Sequence, residues 1–146
     1  RGHIVNMASM IALFAGPLQS TYTASKWAVR GLSHALRLEL RGEGVGVTCV
    51  LPGTVATPFL TGARSHDDRG TARLAALMAR YGTSPERVAQ RVAQAVRRDR
   101  REVRVGWDSH LVAFVQRFLP GALPWFLGRL YRRLAPDGKL RLGDGS

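Results

Sequence analysis

The segment from His3 to Leu51 places the tightest limit on the fold. His3-Ile4-Val5-Asn6-Met7 is a short apolar stretch between Gly2 and the small turn Ala8-Ser9, and it reads as a buried strand. An apolar loop broken by Gly16-Pro17 follows. From about Thr21 to Arg41 the period is helical: Ala28, Val29, Leu32, Ala35, Leu36 and Leu40 recur at spacings of three and four, with Arg30, Arg37, Glu39 and Arg41 on the other faces. Gly42 and Gly44 stop that helix. Val45 to Leu51 is a second continuous apolar run, ended by Pro52-Gly53. A long helix between two apolar strands is a crossover connection, so the two strands are expected to lie parallel in a sheet covered on both faces.

The remaining pattern extends this α/β order. Residues 54–70 read as a loop with a helical turn near Phe59-Leu60, and Thr71 to Tyr81 as a short amphipathic helix. Thr83-Ser84-Pro85-Glu86 is a helix start, with Ser84 as N-cap, Pro85 at the first helical position and Glu86 in the first turn. That helix runs to about Arg98 and buries Val88, Val92, Ala95 and Val96. Glu102 to Val105 is a third short strand. The stretch from Asp108 to Leu134 alternates Leu, Phe and Trp with Arg117, Arg129, Arg132 and Arg133 around a Pro120-Gly121 break, and predicts one or two amphipathic helices. No apolar run there is long enough to span a bilayer as one helix. Residues 137–146 read as a disordered tail.

A chain of 146 residues suffices for one compact domain. It does not start with Met and runs at once into a strand, which suggests a piece cut from a longer protein. Net charge is +12, and all but Lys26 and Lys139 of the 22 basic residues are arginines. Such an excess suits an anionic surface or a phosphorylated ligand, but the basic residues lack the interleaved aromatic pattern of a single-strand binder and any DNA-reading motif. No nucleic acid is therefore expected. The single cysteine, Cys49, lies inside an apolar strand and cannot form an intrachain disulfide. The four histidines are scattered without metal-ligand spacing.

Chemistry concentrates at one edge of the expected sheet. Tyr22 and Lys26 are four residues apart, one turn apart on a single helix face. A phenol loses its proton near pH 10, and a neighbouring ammonium stabilises the phenolate, which makes the pair a candidate proton donor and acceptor for an alcohol or carbonyl. Ser9 lies thirteen positions earlier, just past the first strand, and Pro52-Gly53-Thr54-Val55-Ala56-Thr57 follows the second. In parallel sheets, ligands sit beyond the carboxyl ends of the strands, and all three segments converge there.

These segments, together with Gly2-His3-Ile4-Val5-Asn6-Met7-Ala8-Ser9 and Gly31-Leu32-Ser33-His34-Ala35-Leu36-Arg37-Leu38-Glu39-Leu40, resemble the second half of a classical short-chain dehydrogenase/reductase. The resemblance is close over roughly residues 2 to 60 and continues in outline through the helix and strand after Ser84. It implies a partial Rossmann-like parallel sheet of three C-terminal strands, and hydride transfer between NAD or NADP and an alcohol/ketone or aldehyde pair. Tyr22 is then the expected acid/base. Lys26 stabilises its phenolate and bonds the nicotinamide ribose, and Ser9 bonds the substrate oxygen. Pro52 and Gly53 shape the loop under the nicotinamide, while Val55, through its backbone, and Thr57 contact the carboxamide end. Residues 58–82 are the expected substrate lid within a catalytic part spanning 1–107, and 108–136 an amphipathic extension. Phe59, Leu60, Leu77, Met78 and Tyr81 are candidates for an apolar pocket, hence a hydrophobic small-molecule substrate. The helix over 22–41 is the expected face of a homo-oligomer.

The chain also departs from the family pattern. It has no Gly-rich dinucleotide turn: Gly42-Glu43-Gly44-Val45-Gly46 joins a helix to a strand, whereas phosphate binding needs a strand feeding a helix N-terminus. The family's active-site Asn is missing, since the only asparagine is Asn6 in the first strand. The chain alone is thus expected to be inactive. The expected setting is cytoplasmic, with membrane association through the tail as an addition. The alternative from another class is a non-catalytic module binding an anionic membrane surface through residues 108–136.

Overall fold

The computed structural model describes residues 2–17, 19–57, 76 and 78–134. Strand β1 (Gly2–Met7) leads through a 3-10 turn, Met10–Leu13, into helix α1 (Ser20–Glu39) and strand β2 (Val45–Pro52). Helix α2 (Pro85–Arg97), strand β3 (Glu102–Val105), helix α3 (Trp107–Phe118) and helix α4 (Ala122–Leu134) follow. The sheet order is β1-β2-β3 with both pairs parallel, in register from Gly2↔Val45 to Met7↔Val50 and from Cys49↔Glu102 to Pro52↔Val105. This is the expected Rossmann-like partial sheet with flanking helices.

β2 is central, and Val47 to Leu51 are fully buried. Its side chains alternate between two cores, as strand geometry requires. Cys49 and Leu51 meet Ala8, Ala12 and Val29 on one face, and Val50 meets Val88 and Val105 on the other. Burial in apolar surroundings pushes the Cys49 thiol up. The Ser84 hydroxyl caps α2 by accepting from the Arg87 amide at 3.3 Å, with Pro85 opening the helix.

One sequence reading needs correction. β1 is not fully buried: Ile4 and Met7 are exposed because β1 lies at the sheet edge with only β2 beside it. The apolar stripe of α1 is wider than the surface the sheet offers. Val29, Leu36 and Leu40 are half-buried, whereas Ala28, Leu32 and Ala35 face solvent. The expected helix over 71–81 is described only at residues 76 and 78–81, which are helical. Most of the expected lid, and the tail after Leu134, lie outside the described residues.

Polar clamps hold the N-terminal ends of the strands. The Arg37 guanidinium donates to the Val47 carbonyl and pairs with the Asp99 carboxylate at 2.7 Å, which holds that carboxyl below its ordinary range. Asp99 itself adopts φ +45, a left-handed turn conformation that Asp tolerates. On the neighbouring face Glu102 receives Arg30 Nε at 2.8 Å and has His34 Nε2 3.4 Å away. A cavity of about 760 Å³ opens at this end, beside His3, Arg37 and Asp99.

α3 is fixed to the body by three side chains. Ser109 Oγ donates to the Leu51 carbonyl at 2.8 Å, Gln116 Nε2 to the Leu13 carbonyl at 2.9 Å, and the Asp108 carboxylate accepts from the Thr54 amide. α3 and α4 expose Trp107, Phe114, Phe118, Trp125 and Phe126. No single described helix is long and apolar enough to cross a membrane; the pair over 107–133 reaches that length together but is bent by 111°.

Candidate active site

α1 carries Tyr22 and Lys26 on one face. Lys26 Nζ lies 5.7 Å from the Tyr22 ring centroid, a cation–π distance. The same Nζ donates to the Met7 carbonyl at 3.2 Å. Met7 ends β1, so the ammonium is anchored at the C-terminal end of that strand, two residues before Ser9. Trp27 Nε1 reinforces this docking by donating to the Ile11 carbonyl at 2.9 Å and the Phe14 carbonyl at 3.3 Å.

Ser9 sits in extended conformation, φ −168 and ψ 164, and caps the 3-10 turn by accepting from the Ile11 amide at 3.3 Å. That bond uses a lone pair, so the hydroxyl retains its proton for donation. The preceding residue, Ala8, donates its amide to the Val50 carbonyl, two residues before Pro52. Ser9 therefore stands level with the end of β2 and the loop that follows.

That loop is built from backbone bonds. Pro52 pairs with Val105 at the last rung of β2, and the Gly53 amide donates to the Val105 carbonyl at 2.8 Å. The Thr54 amide goes to Asp108 Oδ2 at 2.5 Å and its carbonyl accepts from the Thr83 amide at 2.8 Å. The Ala56 amide reaches the Thr83 carbonyl at 3.0 Å, and the Thr57 amide the Val55 carbonyl at 2.9 Å. Among the described bonds the Val55 amide donates to none. It stands at the same edge of the sheet as Ser9 and Lys26, on the residue whose backbone the family resemblance assigns to a carboxamide.

The described residues fit the nicotinamide end of a dinucleotide: an ammonium beside a phenol, a free hydroxyl proton and a loop amide stand at one edge. They offer no strand-to-helix glycine turn for its phosphates. Met78 is half-buried in a helical turn, and its carbonyl accepts from the Gly82 amide at 2.8 Å. Tyr81 is 62% exposed with the Arg80 guanidinium 5.4 Å from its ring centroid, and it lines a cavity of about 500 Å³ with Arg87, Arg91 and Trp107. Phe59, Leu60 and Leu77 lie outside the described residues. Among the described residues no group of three His, Cys, Asp or Glu could hold a metal.

Sequence reasoning overlooked Asp108 and Thr83, the two residues that pin the loop. A usable signal existed for the first. Asp108 follows Gly106 at the C-terminal end of a third parallel strand, where topology directs it to the same edge.

The short chain dehydrogenase family pattern matches residues 1–68. An oxidoreductase designated SadH from Mycobacterium tuberculosis is 35% identical over 141 residues, covering 94% of this chain and 48% of that protein. Among solved structures, a short chain dehydrogenase from Burkholderia cenocepacia in complex with NADP superposes with a TM-score of 0.67 at 23% identity, covering 86% of this chain and 46% of the other. A Burkholderia phymatum short chain dehydrogenase/reductase in complex with NAD gives 0.66 at 24%, covering 85% and 48%. Sequence, fold and the order of the motifs agree, and the chain belongs to the short-chain dehydrogenase/reductase family. It spans about half the length of the relatives it matches.

Proposed function

We propose that this chain is the catalytic half of an NAD(P)-dependent oxidoreductase that interconverts an alcohol and a ketone or aldehyde. The observation that carries the reading is Lys26, set beside the Tyr22 ring and tied to the end of β1, at the same sheet edge as the Gly53–Thr57 loop. The chemistry a bound nicotinamide supplies is hydride transfer to or from the substrate carbon. In the oxidative direction Tyr22 accepts the hydroxyl proton as the carbon–hydrogen bond breaks and the carbonyl forms. In the reductive direction it returns that proton to the oxygen. Ser9 donates to the same oxygen and stabilises its developing charge. Lys26 favours the phenolate and offers hydrogen bonds to the ribose. Val55, through its amide, and Thr57 hold the carboxamide, with Pro52 and Gly53 shaping the loop beneath it.

The substrate is proposed to be a hydrophobic small molecule bound against Met78, Tyr81, Phe59 and Leu60. The exposed Ala28, Leu32 and Ala35 of α1 support a second copy of the chain as a partner on that face. The test is Tyr22→Phe in the full-length protein. Turnover should fall by a factor on the order of 10² to 10⁴ while the thermal unfolding midpoint holds. Retained turnover rejects the assignment.

A second reading rests on the exposed Trp107, Phe114, Phe118, Trp125 and Phe126, with Arg129 stacked 5.9 Å from the Trp125 ring centroid. Aromatic side chains beside arginines on a bent helix pair suit an anionic membrane surface, which would place the enzyme at the cytoplasmic face of a membrane. Flotation with vesicles containing anionic lipid, with and without residues 108–134, tests it: equal flotation of the two forms rejects the reading.

A further inference from the structure

Among the described residues, the loop after β2 is held by the Thr83 backbone and by one side chain, that of Asp108. Asp108 stands in the first turn of α3, just after Gly106, whose φ of +98 turns the chain sharply out of β3. An acidic residue in a first helical turn is favoured by the helix dipole. Its Oδ1 accepts from the Ser109 amide at 2.9 Å, which orients the carboxylate, and its Oδ2 accepts from the Thr54 amide at 2.5 Å. Ser109, fully buried, bonds the Leu51 carbonyl near the end of β2, so two consecutive residues of α3 grip the strand end and the loop after it. Gly53 is part of the fit: a Cβ there would overlap the Asp108 carboxylate. Charge-assisted bonds from a backbone amide to a carboxylate are the stronger kind, and this one lies next to the Val55 amide, which donates to no group among the described bonds.

We propose that Asp108 is a positioning residue for the nicotinamide end of the cofactor, acting through the Thr54 amide to fix where the Val55 amide and Thr57 point. The inference rests on the cofactor role proposed above for that loop. Asp108 does not touch the dinucleotide itself. It sets the loop that does, and so it bears on the nicotinamide half of the ligand and not on the adenosine half.

The experiment compares NAD(P) with ADP-ribose, or its 2′-phosphate if the protein takes NADP, as ligands of the full-length protein. ADP-ribose carries the adenosine diphosphate part and lacks the nicotinamide. Asp108→Ala should weaken NAD(P) binding about tenfold or more, the scale of a lost hydrogen bond to a charged group, and leave ADP-ribose affinity unchanged. Equal weakening of both ligands means a general loosening of the fold, and unchanged NAD(P) binding means the loop stands without Asp108; either result overturns the proposal. If Asp108→Ala does not fold, Asp108→Asn is read by the same ratio. It keeps an acceptor without the charge, so a selective loss of about threefold is expected, and an unchanged ratio overturns the proposal. Failure of the wild-type protein to bind any nicotinamide dinucleotide rejects the functional reading instead, which separates the two failures.

Discussion

Lys26 Nζ and the Met7 carbonyl, 3.2 Å apart, join the second turn of α1 to the last residue of β1. One side chain thus fixes the helix that carries Tyr22 to the strand that delivers Ser9. The bond gives the ammonium a fixed place and leaves it two further protons to donate.

Lys26→Ala removes both the tether and the charge beside Tyr22. In the full-length protein it should lower kcat by about 10² or more, the scale of acid–base assistance, and raise KM for the nicotinamide cofactor. Steady-state kinetics with cofactor as the varied ligand check this; a change in substrate KM alone would contradict the role given to Lys26.

Gly53 and Asp108 should not behave independently. Gly53→Ala forces the Asp108 carboxylate to shift, an overpacking expected to cost about 1–3 kcal/mol of stability. In the double variant Gly53→Ala with Asp108→Ala the clash is gone, so the two costs should add to clearly more than the measured total. Urea unfolding of the four proteins in the cycle gives the coupling; simple additivity would mean that the two groups do not share space.

Burial lowers the His34 pKa from its ordinary 6.5, and the attraction of Glu102 only partly opposes that effect. The folded protein therefore binds fewer protons at His34 than the unfolded chain just below pH 6.5. The stability associated with neutral His34 is present above pH 6.5 and declines as pH falls through 6.5 toward the lower folded value. His34→Gln should flatten the dependence of the unfolding midpoint on pH between about 7.5 and 5.5. The carboxyls of Asp99 and Glu86 are held below their ordinary values, so their contributions disappear at more acid pH and stay out of this window.

Ser84→Ala removes the acceptor for the Arg87 amide at the start of α2. Loss of such a cap should destabilise the protein by about 1 kcal/mol. Since α2 covers the face of the sheet opposite α1, the effect should appear in unfolding measurements and not in kcat.

The parts legible in the sequence were those governed by local periodicity. The apolar continuity of Val45–Leu51 announced a strand buried on both faces, and Ser84-Pro85-Glu86 announced a helix start; both match the structure. Burial on α1 was harder to read, because an apolar residue such as Leu32 has the same periodicity whether it meets the sheet or solvent. Sequence spacing also suggested that Lys26 stands beside Tyr22, but not that it bonds the Met7 carbonyl nineteen residues away. Asp108 lay deeper still. Its partner Thr54 is fifty-four residues distant, and nothing in local pattern connects an acid after one strand with an amide after another.

The parallel register of the sheet makes β2 a ruler. Its eight residues start opposite Gly2 and end opposite Val105, and the distance between those marks decides how far the loop at Gly53 projects. Each residue of strand adds about 3.3 Å, comparable to the whole length of the bond from Thr54 to Asp108. A single-residue insertion in β2 ahead of Cys49 would carry the loop past both Val105 and Asp108 and turn Cys49 and Leu51 to the opposite core. Strand length here is therefore a coordinate of the candidate active site, and β2 should tolerate exchange of side chains far better than any change in count.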